Sequence, residues 1–236
     1  MPLPSDIGKH PERYHCVKGD HVLPLTATLK YNMKTKGGVA VFVGRMGDTD
    51  VVVKWHRGRR SSREEEEFYL WLRGKTSCPE VYPGWTLQGD HVLVMEKLQP
   101  LNDKADPVKI GLDLLKQLKV IHKRCVHNGI KPDNITYRET TDEYLLIDHG
   151  SIADTRLEDG YLRKSWPSGW SSQPRKVPNQ VTYPVNDLYE LCTTLKSLSR
   201  TRKERRLFKK ALKKVIAGYD RHRLRKWLHR HAHQDS

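Results

Sequence analysis

Apolar and polar positions divide the chain into a strand-rich first part and a helix-rich second part. HVLPLTATLK (21–30) alternates loosely and predicts a strand. VAVFVGRM (39–46) and VVVKWH (51–56) are β-branched runs on either side of the turn GDTD, which predicts a hairpin. SSREEEEFYLWLRGK (61–75) predicts a helix: Ser61 or Ser62 can cap it, acids fill its first turns, and Gly74 can end it. Two more strands are expected around 81–87 and over HVLVMEKL (91–98).

The period then changes. In DPVKIGLDLLKQLKVIHKRC (106–125), Ile110, Leu114, Leu118 and Ile121 recur at helical spacing, and Pro107 suits a first turn. A polar loop and a short hairpin, ITYRETTDEYLLID, follow. Residues 150–184 are rich in Gly, Pro, Ser and Trp and predict a long loop, in which Trp166 and Trp170 read as packing anchors and Arg163 or Lys164 as candidate phosphate contacts. PVNDLYELCTTLKSL (184–198) predicts a helix, and the segment after it two basic helices broken near Gly218. No internal repeat is present.

Composition narrows the classes. A chain of 236 residues suits one domain or two small lobes. With 30% charged residues and apolar runs of strand length, no membrane association is expected. The first residues hold no apolar stretch resembling a signal peptide. Four scattered cysteines, Cys16, Cys78, Cys125 and Cys192, form neither a paired framework nor a metal spacing, so cytoplasm or nucleus is the expected location.

The net charge of +15 is concentrated at one end: residues 200–236 hold 14 Lys/Arg against 3 acids. Such a block attracts polyanions, so nucleic acid is a candidate partner there. A solvated lysine-rich helix surface accounts for the block equally well. Leu207, Phe208, Leu212, Val215 and Ile216 form an apolar helical face within it, so part of the segment is expected to pack. His229 and His233 stand one helical turn apart, but no partner ligand for a metal is evident.

Several motifs occur in one order. VVVK ends in Lys54; LVMEKL follows the acidic helix; IHKRCVHNGIKPDNI contains His122, His127, Lys131, Pro132 and Asn134; YLLIDHG contains Asp148, His149 and Gly150; and VNDLYELCTTL contains Asp187. Together they resemble the protein kinase superfamily, Ser/Thr type, over about residues 22–198. The resemblance implies an α+β, bilobal protein-kinase-like fold with a strand-rich N-lobe (22–98) and a truncated helical C-lobe (99–199). An N-terminal extension (1–21) and the basic helical segment (200–236) would flank these lobes.

The same resemblance implies roles. Lys54 would hold the ATP phosphates, with Glu65 as its preferred ion-pair partner among Glu64 to Glu67. Gly37 and Gly38 would cover the nucleotide. Met95 would stand in the gatekeeper place, with Glu96 to Leu98 offering backbone contacts to adenine. Asn134 and Asp148 would hold Mg2+, an ion suited by oxygen ligands. Lys131 would approach the γ-phosphate, His127 would pack structurally, and Asp187 would brace the catalytic-loop backbone.

Two departures decide the functional expectation. Gly129 occupies the place of the aspartate that accepts the substrate hydroxyl's proton. The covering loop, KTKGGVAVF, has only two of the family's three glycines, with Val39 on the last, so ATP binding is expected but weakened. SQPRK, near Ser172 and Pro174, matches the family's Ala-Pro-Glu poorly, and few residues follow the Asp187 helix. The expected function is therefore a pseudokinase that binds Mg-ATP and regulates a protein partner: a kinase, a substrate or another regulator. An active atypical Ser/Thr kinase and a basic nucleic-acid-binding module are the alternatives. Asp-His-Gly and the basic surface resemble divergent, virus-type kinases, including relatives of the casein-kinase and vaccinia-related group. A monomer is expected.

Overall fold

Six antiparallel strands close on themselves in the first half of the chain: β1 (His15–Lys18), β2 (His21–Asn32), β3 (Val39–Met46), β4 (Thr49–His56), β5 (Trp85–Leu87) and β6 (Asp90–Glu96). Their order is β1-β2-β3-β4-β6-β5, and pairing of Cys16 in β1 with Leu87 in β5 shuts the barrel. The computed structural model describes residues 6–32, 38–56, 62–149, 153–154, 183–216 and 221–232. The chain divides into two compact units, Met1–Gly74 with Cys78–Leu98, and Lys75–Ser77 with Gln99–Ser236.

Alternation builds the barrel core. Phe42 on β3, Val51 and Val53 on β4, and Val92 and Val94 on β6 point inward and are fully buried, together with Ile7, Cys16, Leu23 and Leu87. β3 and β4 form the expected hairpin through Gly47, whose φ of +59° suits glycine in a tight turn. Helix α1 (Ser62–Leu72) packs on β6 and β4 with Phe68, Tyr69 and Leu72 buried.

Ile7 and β1, within the segment expected as an N-terminal extension, pack in the first unit. Two expectations differ from the structure here. The strand expected around 81–87 shrinks to Trp85–Leu87, with Val81 making only an isolated bridge to Met95; Pro83 and Gly84, φ +86°, interrupt it. Ser62 does not cap α1. Its Oγ accepts from His56 N–H (3.2 Å) and donates to Lys54 O (3.3 Å), fastening the helix to the end of β4. Ser61 lies outside the described residues.

The second unit contains β7 (Gln99–Pro100), α2 (Pro107–Ile121), β8 (Cys125–Val126), β9 (Ile135–Arg138), β10 (Glu143–Leu146), β11 (Ala153–Asp154), α3 (Tyr183–Leu198), α4 (Arg202–Ile216) and α5 (Arg221–Ala232). Asp106 caps α2 by accepting from Val108 N–H (2.8 Å), and Pro107 follows at the first helical position. Ile110, Leu114, Leu118 and Ile121 are all buried, as their spacing predicts. Gly111 lets neighbouring helices approach: a Cβ there would lie 2.8 Å from Leu195 of α3 and 3.4 Å from Leu228 of α5. Gln117 fixes α2 to β10, donating to Tyr144 O (2.6 Å) and accepting from Leu146 N–H (2.9 Å).

The basic segment is two helices, and Phe208, Ala211, Val215, Leu224 and Leu228 are buried. Leu207 and Leu212 are half-buried. Gly218, Ile216's side chain, His233, Trp166, Trp170, Arg163, Lys164, Ser172 and Pro174 lie outside the described residues. Among the described residues no helix is long and apolar enough to cross a membrane, and no group of three His, Cys, Asp or Glu is placed to hold a metal.

Candidate functional site

In the strand-rich unit the site is built on β4 and α1. Lys54 and Glu65 are 8% and 3% exposed, and Lys54 Nζ lies 2.9 Å from Glu65 Oε2 and 3.1 Å from Oε1. Of four consecutive glutamates, the helical period turns Glu65 to the strand and leaves Glu64 and Glu67 exposed. Glu66 is buried elsewhere, accepting from Gly84 N–H (3.3 Å) and facing His91 Nε2 (3.5 Å). Burial raises the Glu66 carboxyl above its ordinary range, with the Gly84 N–H acting in the opposite direction. His56 completes the cluster: two residues after Lys54, it projects on the same side of the strand, and its Nε2 lies 2.8 Å from Glu65 Oε2. Sequence reasoning missed His56, although that two-residue spacing was the signal for it.

Other expected residues of this unit are less engaged. Met95 is buried at 6% exposure on β6. The Glu96 N–H donates to Glu80 O (2.8 Å), and its carboxylate accepts from Glu80 N–H (3.1 Å). Leu98 is half-buried and Gly38 buried. Gly37 lies outside the described residues.

In the helical unit one face of α3 holds the loop after β8. Asp187, fully buried, accepts from His127 N–H and Asn128 N–H, both at 2.9 Å, and from His122 Nε2 at 2.9 Å. One turn on, Glu190 accepts from Ile130 N–H (2.9 Å), and Thr194 Oγ1 donates to Ile130 O (2.7 Å). Residues 187, 190 and 194 thus form one polar stripe on an apolar helix, satisfying loop amides that lie away from water. Burial, reinforced by the nearby Asp187 carboxylate, pushes Glu190 up to about 8, against the opposite pull of the Ile130 N–H. Glu190 and Thr194 were not singled out from sequence; their spacing of three and seven from Asp187 carried the signal.

The loop itself is tightly ordered. His127, fully buried, donates through Nε2 to Ile147 O (3.1 Å), and its ring meets the buried His149 ring edge-on at 4.8 Å. Asn134 Nδ2 donates to Gly129 O (2.9 Å), and Ile147 N–H donates to Asn134 O (2.9 Å), which brings the segment bearing Asp148 beside the loop. Asn128 and Asp148 have φ of +55° and +66°, the left-handed region, which costs a non-glycine residue energy and is found preferentially at functional sites. Lys131 and Asp133 are exposed on the turn before and within Pro132–Asn134. Gly150 lies outside the described residues.

Gly129 is not a conformational necessity. Its φ is not left-handed, and a Cβ there would lie 3.4 Å from both Asn134 Nδ2 and His127 Nδ1, an ordinary contact distance. The loop therefore admits a Cβ at this position, and the sequence does not provide one.

No protein-family model matches the chain. Over 94 residues, 39% of its length, it is 37% identical to a Serine/threonine-protein kinase C of Synechocystis sp., and the match spans 15% of that relative. Among solved structures it is similar to the Cydia pomonella Granulovirus kinase, PK-1, with a TM-score of 0.53 and 14% identity over 75% of this chain and 70% of that one. At that identity the likeness carries the fold alone. The chain has a protein-kinase-like fold.

Proposed function

We propose that the protein is a pseudokinase: a kinase-like domain that retains groups for binding Mg-ATP, lacks efficient phosphotransfer, and acts by engaging a protein partner. The observation that carries this reading is Gly129, a position where a Cβ would be tolerated in a loop otherwise held by Asp187, Glu190 and Thr194. Loss of a positioned general base typically lowers a rate by about 10²–10⁴, or about 3–5 kcal/mol of barrier. Asn128 is an amide and cannot accept the proton as a base, and Asp133 is exposed four residues further on.

Within each unit the donor types suit one part of a metal–nucleotide complex. With Nδ2 of Asn134 engaged on Gly129 O, its Oδ1 is the atom a hard cation would take, and the Asp148 carboxylate supplies a second oxygen type. The Lys54–Glu65 pair keeps an ammonium extended on β4, the form suited to phosphate oxygens. Bound Mg-ATP would bring a polarised γ-phosphoryl group. An active atypical Ser/Thr kinase remains the alternative, favoured by retention of Lys54, Glu65, Asn134 and Asp148 together.

Thermal unfolding with and without Mg-ATP tests the binding half of this reading. Nucleotide at about 100 times its Kd adds about 2.7 kcal/mol, a rise of about 5–10 °C for a chain of this size. Lys54→Met, compared with its own nucleotide-free baseline, is expected to lose most of that rise. No rise in the native chain would remove Mg-ATP from the account, and an undiminished rise in Lys54→Met would remove Lys54.

A further inference from the structure

A basic groove of about 1340 Å3 runs along the helical unit, lined by α2, α4 and α5, with six Lys/Arg against three acids and two histidines. It is separate from the loop that α3 braces. Its acids are already occupied within the fold. Asp113 lies 3.0 Å from Lys109 and 3.1 Å from Lys116, and Asp106 caps α2. Glu204 closes a capping box at the start of α4: it accepts from Arg200 N–H (2.8 Å) and Thr201 N–H (3.0 Å), while Thr201 Oγ1 accepts from Glu204 N–H (3.1 Å). These backbone donors hold the Glu204 carboxyl below its ordinary range, although partial burial works against them.

The cations form a track. Lys203, Arg206 and Lys210 line the groove, and Lys210 continues with Lys213 and Lys214 into an adjoining depression of about 430 Å3 that shares His231. Spacings of three and four residues put these five side chains along one side of α4, over about 17 Å at 1.5 Å per residue. A duplex presents about five phosphates per strand over that length, at 3.4 Å each.

From this arrangement we infer that α4, with the flanking α2 and α5 side chains, binds the phosphodiester backbone of duplex nucleic acid without reading its sequence. Protein partners are anchored mainly by buried aromatic and other large side chains. Single strands are gripped by stacking bases on aromatic faces. The groove offers no exposed aromatic face: Trp227 is 7% exposed and stacked with His231 at 4.3 Å, and the apolar lining is aliphatic, the half-buried Val108, Leu112 and Leu207. Beside these aliphatic side chains the α4 cations present charge at intervals along the helix, which is what a duplex backbone recognises. The sequence places the basic block at 200–236; the structure shifts the weight to α4, since Lys109 and Lys116 on α2 are paired with Asp113.

The test is fluorescence anisotropy of the full chain with labelled 20-base-pair DNA and RNA duplexes across a salt series. Both duplexes are expected to bind, with log K falling linearly against log salt. Lys203→Glu/Arg206→Glu/Lys210→Glu should weaken binding at least tenfold and flatten the slope by between about two and three units, at about 0.9 per phosphate contact. The neutral set Lys203→Gln/Arg206→Gln/Lys210→Gln should weaken it in the same direction with an unchanged melting profile. Lys9→Glu/Lys18→Glu/Lys30→Glu, an equal charge change on the strand-rich unit, should stay within about twofold of the native chain. The inference is overturned by equal losses in the two Glu sets, by no loss in the Gln set, by tighter binding of a single strand with the same number of phosphates, or by full displacement of the duplex by poly-glutamate at matched charge.

Discussion

Glu190 shows how much one buried side chain can reveal about this protein. Its carboxyl, pushed up to about 8 chiefly by burial, is largely protonated in the folded chain near neutral pH, whereas an unfolded glutamate titrates near 4.5. The folded state therefore binds an extra proton between those values. That contribution to stability is complete below about 4.5 and is lost as pH rises through about 8. Glu190→Gln keeps an oxygen for the Ile130 N–H and removes the titration. It is expected to melt near the native temperature at pH 5 and to be more stable than the native chain by roughly 2–4 kcal/mol at pH 8.5. Melting profiles of the two proteins that run parallel from pH 5 to 8.5 would refute the assignment. Legibility at this scale was uneven. Lys54 stands out through the resemblance of VVVK to a kinase strand, and Glu65, the preferred partner among four glutamates, is placed beside Lys54 by the helix register. Glu190 and His56 leave only a spacing as their signal, three residues from Asp187 and two from Lys54, and such a spacing gains meaning once the backbone facing it is known.

At the scale of the elements, α3 is the part that fixes the loop. Asp187 satisfies two loop amides and the His122 ring at once, so truncating it leaves several buried polar groups unpaired. Asp187→Ala is expected to cost about 3–5 kcal/mol in urea unfolding, and Asp187→Asn, which keeps one acceptor oxygen, clearly less. A cost below about 1 kcal/mol for the alanine variant would mean that α3 does not hold the loop. Helix α2 was legible nearly residue by residue, because four apolar positions at helical spacing and Asp106-Pro107 at the start agree with one another. β1 was not. HCVK is four residues with one buried side chain, and its place depends on closing a barrel between β2 and β5, a long-range pairing that no local pattern announces. Ser62 was legible as a helix-start residue, but its hydroxyl serves β4 instead, a tertiary contact overriding a local preference.

For the molecule as a whole, the kinase-like fold is combined with the proposed reading that Lys54 in one unit and Asn134 and Asp148 in the other keep their chemical types, while Gly129 brings no carboxylate to the loop. That loss has a direct chemical consequence. Positioning and electrostatics supply most of phosphoryl-transfer catalysis, so restoring the missing group to a loop already shaped for it should restore turnover. The contact distances at Gly129 admit the Cβ of an aspartate. The decisive measurement is transfer of radiolabelled γ-phosphate from Mg-ATP to a generic basic protein substrate or to the chain itself, for the native protein and Gly129→Asp side by side. The account predicts background transfer for the native chain and a rise of at least tenfold for Gly129→Asp. Robust native transfer that Asp148→Asn abolishes would contradict it.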